Sequence, residues 1–430
     1  MQKRVLSKAI ALAVATLGTG AAFAQSSVTL YGNIDVGFDH TTRKAKTFGA
    51  TMPVSTLLTT ANGGKLSTNR VSPDLSSQSS LGFKGTEDLG GGMKAGFVLE
   101  GQPLADTGSL SRDGRIFGRQ AFASVTTPYG EVRIGRQYAP IFFSSALVTT
   151  ERFGGTDLFI EGGLTNNLHV RWDNAITYSA QVGDFRGQLG YSPNAGAAAK
   201  IDGDRGAAGT SSSSILGGAN AGAEASNHRG ASTGGFLAYT GGDLTLTGGL
   251  SYTSFHGANL SAGTTATGLV SLANLDSYKV ANLGFKYVLA DTGFTFNGAF
   301  GRGTYDFVNG SQTATALSPE LAIPNALRIS SLVLGTRYTI GSMAFLAQWS
   351  ETKFRNGNHG KDTSYMLGAE YSLSKRTTLY SRLGSTKDKA IGPDVLLTAT
   401  GVRETPVFIG GGLNPDARSS IVAVGVRHTF

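Results

Sequence analysis

The chain has 430 residues, 61 of them Gly, 11 Pro and none Cys, and only 15% are Asp, Glu, Lys or Arg, with a formal net charge of +8. Gly at about twice its usual share and a charged fraction well below ~25% fit poorly with a cytoplasmic helical enzyme, and disulfide frameworks and Cys-ligated metals are excluded. A mean hydropathy of −0.04, without a mature apolar stretch of about 20 residues, excludes a bundle of membrane helices, so a membrane crossing has to be made by strands.

Residues 1–24 have the layout of a secretory signal. Lys3, Arg4 and Lys8 form a basic start, Ala9 to Leu17 an apolar run, and Ala22-Phe23-Ala24 a small-x-small cleavage pattern. Cleavage before Gln25 leaves 430 − 24 = 406 residues as one domain, 25–430, and lowers the net charge by three, to 34 Lys+Arg against 29 Asp+Glu.

From Val28 onward the recurring signal is alternation with period two, which marks strands whose faces meet different media. In the first strand Val28, Leu30, Ile34, Val36 and Phe38 share one face, and Thr29, Tyr31, Asn33 and Asp35 the other. Similar segments are predicted near 76–88, 92–102, 115–127, 131–138, 169–182, 184–192, 231–240, 243–256, 276–289, 293–308, 327–339, 342–354, 362–374 and 376–387. The last strand sets Val422, Val424, Val426, His428 and Phe430 against Ala423, Gly425, Arg427 and Thr429, bringing the total to sixteen.

The connections alternate as well. Short turns such as Pro128-Tyr129-Gly130, Gly241-Gly242 and Ile340-Gly341 fall between long polar segments at about 41–75, 139–168, 193–230, 257–275, 309–326 and 388–418. Tight turns at one rim and long loops at the other describe a transmembrane antiparallel β-barrel. The Ala/Gly/Ser-rich tract from Asn194 to Asn227 reads as an external loop rather than an interdomain linker, because strands of the same type flank it. In hydrocarbon every backbone amide has to be paired, so the sheet must close. At sixteen strands side chains cannot fill the interior, and an aqueous channel remains. The 14 Tyr and 23 Phe are enough for interfacial girdles, whereas a soluble β-sandwich would need fewer strands and a strongly apolar inner face.

The segment Ser80-Leu81-Gly82-Phe83-Lys84-Gly85-Thr86-Glu87-Asp88-Leu89-Gly90-Gly91-Gly92-Met93-Lys94-Ala95 resembles the second and third strands of the general-diffusion porins of Gram-negative bacteria, above all the betaproteobacterial type. Leu30-Tyr31-Gly32, Phe117-Gly118-Arg119-Gln120-Ala121-Phe122, Gly135-Arg136-Gln137, Asn174-Ala175-Ile176-Thr177-Tyr178 and the terminal Phe430 extend the match along the mature chain. The resemblance implies a sixteen-stranded homotrimer in the outer membrane whose third external loop folds into the barrel and narrows it. It further implies passive permeation of ions and small hydrophilic solutes, with no cofactor and no covalent step. A C-terminal aromatic such as Phe430 resembles the signal read by the barrel-assembly machinery.

The segment from Tyr138 to Leu168 corresponds in chain order to that third loop and carries Glu151, Asp157 and Glu161 around a Phe153-Gly154-Gly155 bend. Facing these acids, parity places Arg119 inward, on the assumption that Phe122 points out, and places Arg133 and Lys84 inward as well. Arg119 and Arg171 match arginines of the family's basic wall, whereas Asn33 and Ser80 stand where enterobacterial members carry further basic residues. The cluster is thus rebuilt, with Arg133 supplying the missing charge. Arginine stays protonated beside other arginines, and a cationic wall opposite carboxylates sets a transverse field. Because charges beyond the ~8 Å screening length contribute little, ion preference follows local charge. Three wall arginines against three loop acids leave the sign open on count, and a weak preference for anions is expected where hydrogen bonds to backbone amides take up part of the loop acids' charge.

Enzymatic motifs are missing: the sequence has no G-x-S-x-G, P-loop or H-E-x-x-H, and its six His share no metal-ligand spacing. Asp202-Gly203-Asp204 is a weak hint of divalent cations bridging lipopolysaccharide. The dispersed basic residues do not form a nucleic-acid face. The alternatives are a substrate-specific channel for an anionic or sugar solute, or an adhesive barrel with a plugged lumen.

Overall fold

A computed structural model describes residues 27–45, 64–111, 115–149, 170–193, 195, 230–265, 268–308, 326–355, 360–388 and 418–430. In chain order these form β1 (Ser27–Ala45), β2 (Gly64–Pro73), β3 (Ser80–Gly90), β4 (Met93–Gly101), β5 (Gln120–Thr127) and β6 (Gly130–Tyr138). A helix, α1 (Pro140–Ala146), follows, then β7 (Arg171–Val182), β8 (Phe185–Ser192), β9 (Ala231–Gly241), β10 (Leu244–Thr265), β11 (Gly268–Leu289) and β12 (Phe294–Phe307). The last five strands are β13 (Ala326–Ile340), β14 (Met343–Arg355), β15 (Gly360–Ser372), β16 (Thr377–Asp388) and β17 (Arg418–Thr429).

Apart from β2 and β3, which both pair with β1, each strand pairs antiparallel with its chain neighbours, and β17 returns to β1 through a register running from Asn33 opposite Thr429 to Lys44 opposite Arg418. Gly32 and Phe430 complete the seam by exchanging backbone hydrogen bonds of 3.3 and 3.0 Å. The seventeen segments occupy sixteen positions, because β2 and β3 share one: β2 pairs with Val36–Ala45 of β1 and β3 with Ser27–Asn33. The sheet closes on itself as a sixteen-stranded barrel, which satisfies the backbone in lipid.

The faces follow the predicted alternation. Leu250 (62% exposed), Leu283 (67%) and Val424 point outward, while the inner face carries buried Thr247, Ser251, Asn282, Asn297, Gln348 and Ser364. Non-polar side chains meet lipid and hydroxyls and amides meet the lumen, the reverse of a soluble core. At the rim of short turns aromatic rings form the expected girdle, with Phe294 stacked on Tyr338 at 4.4 Å and Phe185 beside Tyr239 at 5.2 Å.

The structure corrects several expectations. The stretches 41–75 and 257–275, read as polar loops, contain strand: β1 reaches Ala45, β2 covers Gly64–Pro73, and β10 and β11 pair up to Thr265 opposite Gly268. Hydroxyl and Gly residues lack the apolar alternation that identifies strands near lipid, so hairpins extending beyond the lipid look like loops in the sequence. The predicted strand at 76–88 starts only at Ser80, because residues 74–79 fold into the barrel with Leu75, Ser76 and Ser79 buried. The strand predicted at 115–127 starts at Gln120.

Candidate functional site

The lumenal side chains are organised around two inward-projecting elements. The first is the turn 74–79 between β2 and β3. Asp35, on the inner face of β1, accepts from the Ser76 and Ser77 amides at 3.1 and 2.6 Å and from the Tyr380 hydroxyl. Asp74 accepts from the Ser79 amide and from Gln102 Nε2, both at 2.6 Å. Asn33 donates to Ser77 Oγ and to the Gln78 carbonyl, each at 3.1 Å, and accepts from Ser80 Oγ at 2.8 Å. The two positions where basic residues were expected in relatives therefore hold the turn instead. Leu75 packs into an apolar patch of Val333, Met366, Tyr380, Ile421 and Ala423 on the inner wall.

The second element is α1, which starts at Pro140, where the missing N–H costs nothing. The inner wall receives it: Ser144 Oγ lies 2.5 Å from Asn282 Oδ1, Asn282 Nδ2 donates to Ser145 Oγ at 2.9 Å, and Thr247 Oγ1 donates to the Ser144 carbonyl at 2.6 Å. Because Leu283 and Phe285 are exposed on the outer face of β11, Asn282 between Ala281 and Leu283 marks the lumen side. The chain leaving β6 thus crosses to the inner faces of β10 and β11.

Between these elements stands a basic cluster. Arg119 donates from Nε to Glu100 Oε1 at 2.5 Å, from Nη1 to Gln78 Oε1 at 2.8 Å and from Nη2 to the Tyr138 hydroxyl at 2.8 Å. Arg171 donates to the same hydroxyl at 2.9 Å, with its guanidinium 4.4 Å from the Tyr138 ring centre. Tyr138 stacks on Phe142 of α1 at 4.3 Å, which ties the wall to the helix. Tyr31, inward as predicted, donates to Glu100 Oε2 at 2.9 Å, and Lys84 lies 5.2 Å from the Tyr31 ring centre.

Arg119 and Arg171 are therefore brought together, and Lys84 joins them through Tyr31 and Glu100. Arg133 is inward too but stands apart, over the Phe122 ring at 5.1 Å and bonded to Glu131 at 2.7 Å. The parity argument for Arg119 was mistaken: Phe122 points into the barrel and is 8% exposed, while Ala123 and Val125 face out. Arg119 reaches the lumen because it lies in the bend before β5, free of strand alternation. Arg171 and Trp172 are both buried, since Asn174 at φ 54° and the register shift opposite Gly135 and Gln137 interrupt the alternation. Glu151, Asp157 and Glu161, like Asp202 and Asp204, lie outside the described residues. Phe430 ends the barrel with its ring against Gly32.

Sequence reasoning missed Glu100, Tyr138 and a second group of Glu370, Arg337, Arg382 and Arg427. Inner-face parity was available for Arg427, but nothing along the chain shows that β13 and β15–β17 bring these four groups together. Among the described residues, no group of three or more His, Cys, Asp or Glu is placed to hold a metal ion.

The fold has counterparts among known proteins. The chain is 29% identical over 448 residues to an outer membrane porin protein of Bordetella pertussis, covering 100% of both chains. It is 26% identical over 430 residues to outer membrane porin protein 32 of Delftia acidovorans, covering 98% of this chain and 99% of that one. The anion-selective porin from Comamonas acidovorans superposes with a TM-score of 0.60 at 23% identity, over 94% of this chain and 100% of that one. OmpT of Vibrio cholerae has the same fold at 13% identity and a TM-score of 0.60, over 94% and 98% of the two chains. A model of the Gram-negative porins matches residues 9–390, so the chain belongs to that family and is a passive channel of the outer membrane.

Proposed function

We propose that the channel favours anions, and that Arg119, Arg171, Arg133 and Lys84 form its cationic wall opposite Glu151, Asp157 and Glu161. The reading is carried by the pairing of Arg119 and Arg171 on the hydroxyl of Tyr138, with Glu100 bonded to Arg119. Two guanidiniums held together concentrate positive charge on this wall, and the reading takes the loop acids to be partly engaged by backbone amides, so that the wall's attraction for anions prevails. The selectivity named for the Comamonas acidovorans structure agrees with this. Small hydrophilic solutes and ions pass without a cofactor, limited by size and field.

The same proposal includes processing after residue 24, assembly through Phe430 by the barrel-assembly machinery, a homotrimer, and contact with lipopolysaccharide. The outer faces of β12–β14 support the last point: Arg302, Arg328, Lys353 and Arg355 are exposed there, beyond outward Phe300 and Leu332, where anionic headgroups would meet them. Zero-current potential in a planar bilayer under a KCl gradient tests the ion preference, and cation preference would refute it. Deleting residues 145–160 should raise single-channel conductance; unchanged current and unchanged solute exclusion would remove this segment from the constriction.

A further inference from the structure

We propose a second anion-binding station on the inner faces of β13 and β15–β17, where Arg337 and Arg427 hold small divalent oxyanions, phosphate or dicarboxylate, on their way through the lumen. The station rests on the anion-favouring reading above and extends it to a ligand class. Its centre is Glu370, which accepts from Arg382 Nη2 at 2.7 Å and from Arg337 Nη2 at 2.8 Å, with Arg427 Nη2 at 3.8 Å. One guanidinium would neutralise this carboxylate, and three surround it.

The three arginines are not equivalent. Arg382 is fully buried and also donates to the Ser381 and Ala369 carbonyls and to Ser76 Oγ, so it is structural. The side chains of Arg337 and Arg427 stay 31% and 18% exposed. Arg337 gives one N–H to Glu370, and Arg427 gives one to Ser76 Oγ at 2.9 Å. A guanidinium carries five N–H donors in a planar fork suited to carboxylate and phosphate oxygens, so both retain donors for a ligand.

The nearby acids do not cancel the site. Asp35 is the cross-strand partner of Arg427, and its oxygens are already taken by the Ser76 and Ser77 amides and the Tyr380 hydroxyl. Asp74, in the same turn as Ser76, is taken by the Ser79 amide and Gln102, so although Asp35, Asp74 and Glu370 balance the three arginines in formal charge, all three carboxylates are satisfied by their own neighbours. An incoming oxyanion therefore meets donors.

The turn 74–79 also links the two clusters. Ser76 accepts from Arg382 and Arg427, and Gln78, two residues on, accepts from Arg119. Two residues of chain span at most about 7 Å, so one short stretch of backbone anchors both groups.

The test is chloride current through single channels with phosphate, a four-carbon dicarboxylate or acetate added. The wild-type channel should show saturable block by the two divalent anions and little by acetate, and the two divalent arms show which chemistry is preferred. Arg337→Gln with Arg427→Gln should weaken the divalent block about fivefold or more, because charge-assisted bidentate contacts are lost. Should that pair fail to insert, Arg337→Gln alone, which leaves the Arg427–Ser76 contact in place, should weaken it at least about twofold. Equal block by acetate and phosphate, or block unchanged in the inserted variant, overturns the station. Anion preference without divalent block removes the station alone; cation preference in the wild type removes the wall reading as well.

Discussion

Replacing Arg119 and Arg171 together by Ala removes two positive charges from the wall and leaves Glu100 bonded to Tyr31. The formal charge of this cluster then falls by two. Both guanidiniums sit behind the lumenal surface, at 8% and 5% exposure for the two residues, so the working separation from a permeating ion is taken as one screening length, about 8 Å, rather than contact. At that distance one charge is worth about 0.5 kcal/mol in bulk-like water. Screening at physiological salt lowers this to about 0.2 kcal/mol. Two charges raise the anion's energy by about 0.4 kcal/mol and lower the cation's by as much, so the permeability ratio moves about fourfold toward cations. Zero-current potential across a KCl gradient reads that ratio directly, and heat-dependent mobility on gels establishes that the barrel has formed. A folded double variant with the wild-type potential would show that these arginines do not face the conducting path.

Three other substitutions probe the frame that holds the site. Gly135 has φ 131°, and a Cβ there would overlap the Ala121 carbonyl oxygen and press on Phe122; Gly135→Val should cost about 2–4 kcal/mol, seen as a lower thermal midpoint of the folded band. Leu283 faces lipid midway between the Tyr287 girdle and Lys279, so Leu283→Arg should destabilise insertion into vesicles by about 2–4 kcal/mol in urea titrations, and a change below 0.5 kcal/mol would contradict the lipid-facing assignment. Asn282→Ala removes the contacts to Ser144 and Ser145; freeing α1 by about 1–2 kcal/mol should increase open-channel current noise while the barrel's thermal midpoint holds, and a quiet channel would show that α1 is anchored elsewhere.

Much of the barrel was legible because each strand in lipid is a local object. Leu30 and Tyr31 face opposite media whatever the remaining strands do, so their alternation is visible in a few residues, and so is the closure that the backbone requires. Legibility ended where alternation stops reporting the environment. Phe122 looked lipid-facing because it is aromatic, yet it points inward beneath Arg133. The extended hairpins above the membrane, rich in hydroxyls and Gly, carried no apolar signal. The inward turn 74–79 was hidden inside a predicted strand, because Ser and Gln suit a lumenal strand face as well as a bend.

The sequence by itself determined the class of the molecule: strands with lipid on one side and water on the other, short turns at one rim, and a ring large enough to conduct. Those properties follow from periodicity and from the need to pair every amide in hydrocarbon, and both act over neighbouring residues. Only the tertiary structure decided which charges meet. Arg119 and Arg171 lie 52 positions apart and share the hydroxyl of Tyr138, and Arg427 meets Ser76 across 351 positions. Coulomb interaction depends on distance through space, and that distance is set by barrel closure and by the chain folding back through the lumen.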